Sequence, residues 1–206
     1  VSPYKLTGIS KARDFIDQYE DQPELVYGLE RFHYTWIADN YKGVVDWDLQ
    51  KLNILSLDIE VRCDNGFPDP AASAEEILCI TVKNYANKRI LVWGIEDYEN
   101  DREDVNYIRC ENETELLEKF LTFWERYDVD IVTGWNCKFF DIPYIVGRVE
   151  KLLTAKDTQR LSPWKIVHDR TSNLMGREQL MYDILGVTVL DYMDLYKKYV
   201  YTNQES

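Results

Sequence analysis

At 206 residues, with 45% hydrophobic and 14% aromatic side chains, the chain has length for one large domain or two small ones and enough apolar material to exclude disorder. A formal net charge of −13 excludes a protein that coats nucleic acid generally, which needs a basic face to displace counterions from phosphate. It leaves room for an enzyme that handles a few nucleotides at a carboxylate cluster neutralised by divalent cations.

No apolar run approaches the ~18 residues of a membrane span, so no membrane partner is expected. The opening Val1-Ser-Pro-Tyr-Lys lacks the basic-then-apolar pattern of a secretion signal. The four cysteines, Cys63, Cys79, Cys110 and Cys137, form no CxxC pair, and only two histidines accompany them. Zinc is therefore not expected. Scattered thiols fit a reducing cytosol, and each cysteine reads as a small buried hydrophobe.

Residues 1–52 read as a small mixed unit. Ser10 is placed to cap a short helix that turns Ala12, Phe15 and Ile16 inward. The aromatic segment Phe32–Ile37 reads as a strand. Residues 53–206 read as a second domain. Its first strand, Leu52 to Val61, is nearly continuous in apolar character, which suggests burial on both faces. Strands follow at Ile77–Lys83 and Arg89–Trp93, joined by a turn at 84–87. The spacing of Leu116, Leu117, Phe120, Leu121, Phe123, Trp124 and Tyr127 predicts a helix over Glu113–Tyr127, with Asn112 and Glu115 in a capping-box pattern. A short strand at Asp130–Gly134 leads through a loop to a helix from Asp141, with Pro143 in its first turn. Lys165–Leu190 reads as a hairpin with Met175-Gly176 at its tip and Gly186 breaking the returning strand, and a last helix begins near Asp191. Strands that then alternate with helices define an α/β class.

Two constellations carry chemistry. In Leu57-Asp58-Ile59-Glu60 the acids lie two apart, so on a strand they share a face while Leu57 and Ile59 enter the core. Adjacent ionised carboxylates repel and resist burial, and a divalent metal is the usual compensation. The spacing alone fits better a strand end whose acids reach solvent. In Thr133-Gly-Trp-Asn-Cys-Lys-Phe-Phe-Asp141 a buried strand runs into a helix amino terminus. Asp141 there fits a helix cap and Asn136 a turn residue, if that segment is taken alone.

The ordered set is more specific than its parts. Asp-x-Glu on a strand, followed about eighty residues later by Asn-x-x-x-Phe-Asp, matches the first two motifs of the DEDD exonucleases. The order continues through Asn65-Gly-Phe-Pro-Asp-Pro70, Phe140-Asp141-Ile-Pro-Tyr144, Leu161-Ser-Pro163 and Val189-Leu-Asp-Tyr-Met-Asp-Leu-Tyr-Lys-Lys198. Ala12-Arg-Asp-Phe and Tyr34-Thr-Trp-Ile-Ala-Asp39 precede it. Over nearly its whole length the chain resembles the amino-terminal and proofreading-exonuclease portion of family B DNA polymerases of the T-even-type tailed-phage branch.

The resemblance implies a ribonuclease-H-like mixed sheet flanked by helices, preceded by part of the polymerase amino-terminal domain. It implies that Asp58, Glu60 and Asp141 are catalytic ligands of Mg²⁺ or Mn²⁺, two ions in the complete site. Asn136 would hold the terminal nucleotide, Phe140 would line its pocket, and Phe67 would wedge against frayed bases; a buried loop anchor is an equal alternative for Phe67. Residues near Asp169–Glu178 match a hairpin that passes the strand between polymerising and editing sites. Arg170 and Arg177, read alone, are solvated turn charges. Trp135 and Phe140 read as core or pocket walls. Tyr192, Leu195, Tyr196 and Tyr199 read as the packed face of a helix that Asp191 and Asp194 cap.

Implied partners are the single-stranded 3′ end of primer DNA, the remainder of the polymerase chain, and a sliding clamp and replisome proteins, in the cytoplasm, or the host cytoplasm for a virus. The family's third motif is Tyr-x-x-x-Asp. None of the 15 tyrosines has an aspartate four positions later. The expectation is therefore a fragment that folds but digests DNA weakly or not at all. Two other readings stand beside it: a non-catalytic nucleic-acid-binding or interaction module, and a free-standing DEDD nuclease.

Overall fold

The structure, a computed structural model, describes residues 11, 14–15, 17–19, 21–22, 25, 32–44, 46, 48–64, 66–174 and 177–199. Ser10, Ala12, Ile16, Asn65 and the Met175-Gly176 tip lie outside them. The chain divides into two compact units, Val1–Asp48 and Leu49–Ser206. In the first, the segment expected as a strand is instead a helix, α1, Phe32–Asn40. Its alternation of aromatic and polar residues from Phe32 to Trp36 is a strand-like pattern, but strand propensity depends on context and here the backbone takes helical hydrogen bonds instead. The helix closes with Tyr41 N–H on Ile37 O at 2.9 Å and Asn40 Nδ2 on Trp36 O at 2.8 Å.

The described residues of the second unit form eight strands: β1 Ile54–Val61, β2 Ile77–Asn84, β3 Ile90–Gly94, β4 Val105–Arg109, β5 Ile131–Gly134, β6 Val167–Leu174, β7 Arg177–Ile184 and β8 Thr188–Asp191. Its helices are α2 Glu113–Tyr127, α3 Asp141–Leu152 and α4 Tyr192–Tyr199. Six strands form one mixed sheet in the order β4-β3-β2-β1-β5-β8, and β6 pairs with β7 apart from it. The β2 neighbours are antiparallel to it, whereas β3–β4, β1–β5 and β5–β8 are parallel. This is the expected mixed α/β class, a sheet flanked by helices.

β1 is buried on one face, not two. Leu55, Leu57 and Ile59 are buried while Ser56, Asp58 and Glu60 are exposed. The apolar residues alternate strictly with the polar ones, which is the pattern of a half-buried strand. They join one core with Ile80 and Val82 of β2, Leu116, Leu117, Phe120 and Leu121 of α2, and Ile142, Ile145, Val146 and Val149 of α3. Each such side chain contributes roughly 1.5–3 kcal/mol by leaving water. The cap of α2 is a variant of the expected box: Asn112 accepts from Glu115 N–H at 3.0 Å, but Glu115 reaches back to Glu111 N–H at 2.6 Å. The hairpin expected through Leu190 ends at Ile184. Gly186, at φ +92, turns the chain away, and β8 joins the main sheet beside β5.

One buried ion pair ties the β1–β2 connection to both helices. Glu113, at the start of α2, accepts from Ile77 N–H at 2.9 Å and from Arg148 Nε of α3 at 2.7 Å. A second bond joins Arg148 Nη2 to Glu113 Oε2. Arg148 Nη1 donates to Ser73 O and Ala74 O, both at 3.1 Å. From the same helix, Tyr144 Oη donates to Glu75 O at 2.9 Å and accepts from Glu75 N–H at 3.1 Å. Breaking a pair of this kind leaves an uncompensated buried charge. Glu113→Ala is expected to destabilise the chain by about 3–5 kcal/mol, and Glu113→Leu combined with Arg148→Met to recover only the part due to the unpaired charge, since Ile77 N–H, Ser73 O and Ala74 O stay without their partners, as read by urea unfolding.

Candidate active site

The site begins where the central sheet splits. β1 and β5 pair through Ile54–Ile131, Leu55–Val132 and Ser56–Thr133. At Gly134 the chains approach so closely that a Cβ there would stand 2.6 Å from Leu57 O and 2.8 Å from Cys137 Cβ. β5 ends at this contact. The edge of β1 continues without a strand beside it, and Ile59 N–H donates instead to Asp141 Oδ1 at 3.0 Å. A carboxylate thus occupies the place of a ladder carbonyl, satisfying a buried donor.

Asp141 is the first residue of α3, and only 3% of it is exposed. It does not cap that helix; the N-cap is Phe140, with no side-chain bond. Its carboxyl reaches across to β1 at Ile59 N–H. Burial first, and then the charge of Asp58, push it up to about 7. Burial also raises Asp58. The structure therefore brings Asp58 and Asp141 into electrostatic contact. Glu60 shares the solvent face of β1 with Asp58. Among the described residues none of the three acids forms an ion pair, and no three His, Cys, Asp or Glu side chains are grouped tightly enough to hold one metal ion. The three acids offer oxygen donors only, and among the described residues no side-chain cation is paired with the buried one. Carboxylate oxygens are hard donors, of the kind that Mg²⁺ or Mn²⁺ takes in preference to zinc.

The loop between β5 and α3 shapes the other wall. Asn136 adopts φ +61, and its carbonyl accepts from Phe139 and Phe140 N–H at 3.1 and 3.0 Å. Asn136 N–H donates to Asp191 Oδ1 and Lys138 N–H to Asp191 Oδ2, each at 3.0 Å. Asp191 also takes Met193 N–H at 2.9 Å, the cap expected for α4. The two bonds to the loop were not expected, because an aspartate before a helix signals only its own cap.

Phe67 is 83% exposed, so it is no buried anchor. Its ring lies 5.2 Å from that of Phe140, which in turn lies 5.6 Å from Tyr144. Trp135 is not a core residue: it is 55% exposed, against Tyr192 and Tyr196 at 6.0 and 5.7 Å. The aromatic row of α4 is likewise exposed, and α4 buries none of its residues. Its helical spacing was real, but the described residues place only Trp135 against the row. Asp194 faces Lys138 at 3.9 Å. Arg170 makes a surface ion pair with Asp183 at 3.5 Å; the side chain of Arg177 lies outside the described residues.

All four cysteines are free. Cys110 and Cys137 are buried, and burial pushes the Cys137 thiol up to about 12. Cys79 is half-buried. Cys63 is exposed, contrary to expectation, because its loop satisfies the thiol locally at Gly66 O, 2.9 Å away. Among the described residues no helix is long and apolar enough to cross a membrane.

With this geometry in place, comparison with known proteins is informative. The family described as "DNA polymerase family B, exonuclease domain" matches residues 26–206. The DNA-directed DNA polymerase of Escherichia phage RB69 is 30% identical over 95% of this chain and 24% of its own length. That of Enterobacteria phage T4 is 30% identical over 100% of this chain and 26% of its own. The chain thus spans about a quarter of the length of these relatives. Among solved structures, the family B DNA polymerase of the archaeon Pyrobaculum calidifontis aligns with TM-score 0.48 and 21% identity, covering 72% of this chain and 16% of that one.

The environment of Asp141 generates a pH prediction. Its folded-state pKa is raised from 3.8 to about 7, so the proton it keeps stabilises the fold. That contribution is full below the ordinary carboxylate range and is lost as pH rises through about 7. In the absence of divalent cations the Asp141 carboxyl resonance is expected to titrate near neutrality by NMR. The stability of wild type relative to Asp141→Asn should fall over the same window in urea unfolding.

Proposed function

The chain belongs to the exonuclease-domain family of the family B DNA polymerases, and on that premise we propose that its site removes the 3′-terminal nucleotide from a DNA strand, the proofreading step of a DNA-directed DNA polymerase. The observation that carries this reading is the bond from Ile59 N–H to Asp141, which sets a buried carboxylate beside the Asp58 strand. Asp58, Glu60 and Asp141 would hold Mg²⁺ or Mn²⁺. Two such cations, when bound, supply activation of a water and stabilisation of the leaving 3′ oxygen. A cation at this place also favours the ionised form of Asp141, reversing the effect of burial.

The protein's own contribution is placement. Asn136 would hold the terminal nucleotide from the rim of its turn. Phe67 and Phe140, one exposed and in ring contact with the other, would stack on frayed bases, an interaction worth ~1–3 kcal/mol per base whatever the sequence. The β6–β7 hairpin would guide the strand between editing and polymerising sites. The remainder of a polymerase chain, a sliding clamp and replisome proteins would be its partners, in the cytoplasm, with residues before the sheet forming part of the polymerase amino-terminal domain. The acid-rich chain suits a site that grips one strand end through cations rather than a long duplex through basic residues.

Within these 206 residues three of the family's four carboxylates are present, since no tyrosine is followed four places on by an aspartate. Digestion by this chain alone is therefore expected to be slow. A second reading, a binding module without catalysis, is favoured by the absence of a tight three-acid group among the described residues. Titration calorimetry with Mn²⁺ separates the two. The exonuclease reading expects a site whose affinity falls at least about tenfold in Asp58→Ala and in Asp141→Ala, with slow Mn²⁺-dependent shortening of a 3′-labelled single-stranded oligonucleotide that Asp58→Ala abolishes. Binding that ignores both substitutions would overturn it.

A further inference from the structure

We propose that Asp191 is a positioning residue for the nucleotide end of this site, acting through Asn136 and resting on the exonuclease reading above. β5 and β8 pair in parallel through Gly134 and Asp191, and at that pair both strands stop. β8 runs directly into α4, and β5 runs into the turn that carries Asn136. Backbone donors that a longer ladder would have paired are left beyond the last rung. Asp191, 3% exposed, collects them: its Oδ1 accepts from Asn136 and Met193, and its Oδ2 accepts from Lys138. Both oxygens are engaged by main-chain donors, so the carboxylate is oriented from two sides.

This cradle does three things at once. It fixes Asn136 at a left-handed φ of +61, a conformation that asparagine tolerates better than most residues with a side chain. It fixes the start of the turn that ends in Phe140 and Asp141, because Asn136 O accepts from Phe139 and Phe140 N–H and Cys137 O accepts from Ile142 N–H. It also ties the turn to the first residues of α4, which carry Tyr192 toward Trp135. Asp191 reaches no reacting atom. Its effect is on where the Asn136 amide stands relative to the acid pair, which locates it on the binding side of the site.

The experiment compares Asp191→Asn, Asn136→Ala and the double variant in the full 206-residue chain. The probe is a 5′-fluorescein-labelled oligo-dT of four nucleotides with a 3′-terminal phosphorothioate, read by anisotropy in Mn²⁺. Asp191→Asn turns an amide NH₂ toward donors that need an acceptor. It is expected to weaken oligonucleotide binding at least about tenfold in the wild-type background and less than about twofold when Asn136 is already alanine, while Mn²⁺ affinity by calorimetry stays within about twofold. An equal loss in both backgrounds, or no loss in either, overturns the proposal. A wild-type chain lacking an Asp58-dependent Mn²⁺ site overturns the exonuclease reading, and this inference with it. Should Asp191→Asn fail to fold, hydrogen exchange on the wild type decides: Asn136 and Lys138 amides must be protected to the level of the adjoining β5 ladder, and free exchange overturns the proposal.

Discussion

The hydrogen bond from Ile59 N–H to Asp141 Oδ1 is made where two parallel strands part company, and the rest of the site is arranged around that parting. A strand that loses its neighbour midway exposes a backbone donor, and a donor buried without a partner costs about 1–3 kcal/mol. An aspartate at the head of the next helix removes that cost. It can do so only by entering a place that is both dry and close to the acid of β1, and this raises its proton affinity. The bond that completes the sheet therefore also creates a local excess of negative charge. Among the described residues no side-chain cation offsets that excess. The stability that this carboxyl lends the fold is therefore tied to its protonation, in the sense of a linked equilibrium.

The same device recurs nearby. Asp191 satisfies N–H groups stranded past the last rung between β5 and β8, and Glu113 satisfies Ile77 N–H at the start of β2 while pairing with Arg148. In each case a carboxylate replaces a carbonyl at a ragged sheet edge. The three differ in counter-charge. Glu113 has an arginine, Asp191 has three main-chain dipoles, and Asp141 has the N–H groups of Ile59 and of its own residue against the charges of Asp58 and Asp191. The least compensated of the three is the one that sits with Asp58, and that difference separates a structural carboxylate from a candidate ligand.

Much of this was legible in the residues. The alternation in Leu55–Glu60 states which acids face solvent, and the spacing in Glu113–Tyr127 states where the long helix lies. What escaped notice depended on partners far along the chain. β4 went unseen because Val105–Arg109 is short and follows the acid-rich stretch 96–104, where no periodicity marks a strand. Phe32–Ile37 carries strand-favouring aromatics yet lies in α1, because strand propensity yields to hydrogen bonding in context. Asp191 resembles any aspartate ahead of a helix; its bonds to Asn136 and Lys138 span more than fifty positions and leave no local trace. The exposed row on α4 shows the converse, since periodicity reports that a helix has an apolar face without saying what covers it.

α3 joins the two halves of the site mechanically. Its first residue, Asp141, is bonded to β1; Tyr144, one turn on, is bonded through its hydroxyl to Glu75; Arg148, a further turn on, grips Ser73 and Ala74. At Gly147 the helix lies so near Ser73 that a Cβ would stand 2.3 Å from its hydroxyl oxygen, leaving no room to slide. The connection held by these contacts is the one whose outer end carries Phe67, and the ring that Phe67 meets belongs to the N-cap of the same helix. An exposed aromatic on a loop gains little from packing, so its position depends on what the loop is fastened to. Here it is fastened to the helix that delivers the buried acid. Buried carboxylate and exposed aromatic are thus both referred to one helix, the first through its opening residue and the second through ring contact with its N-cap.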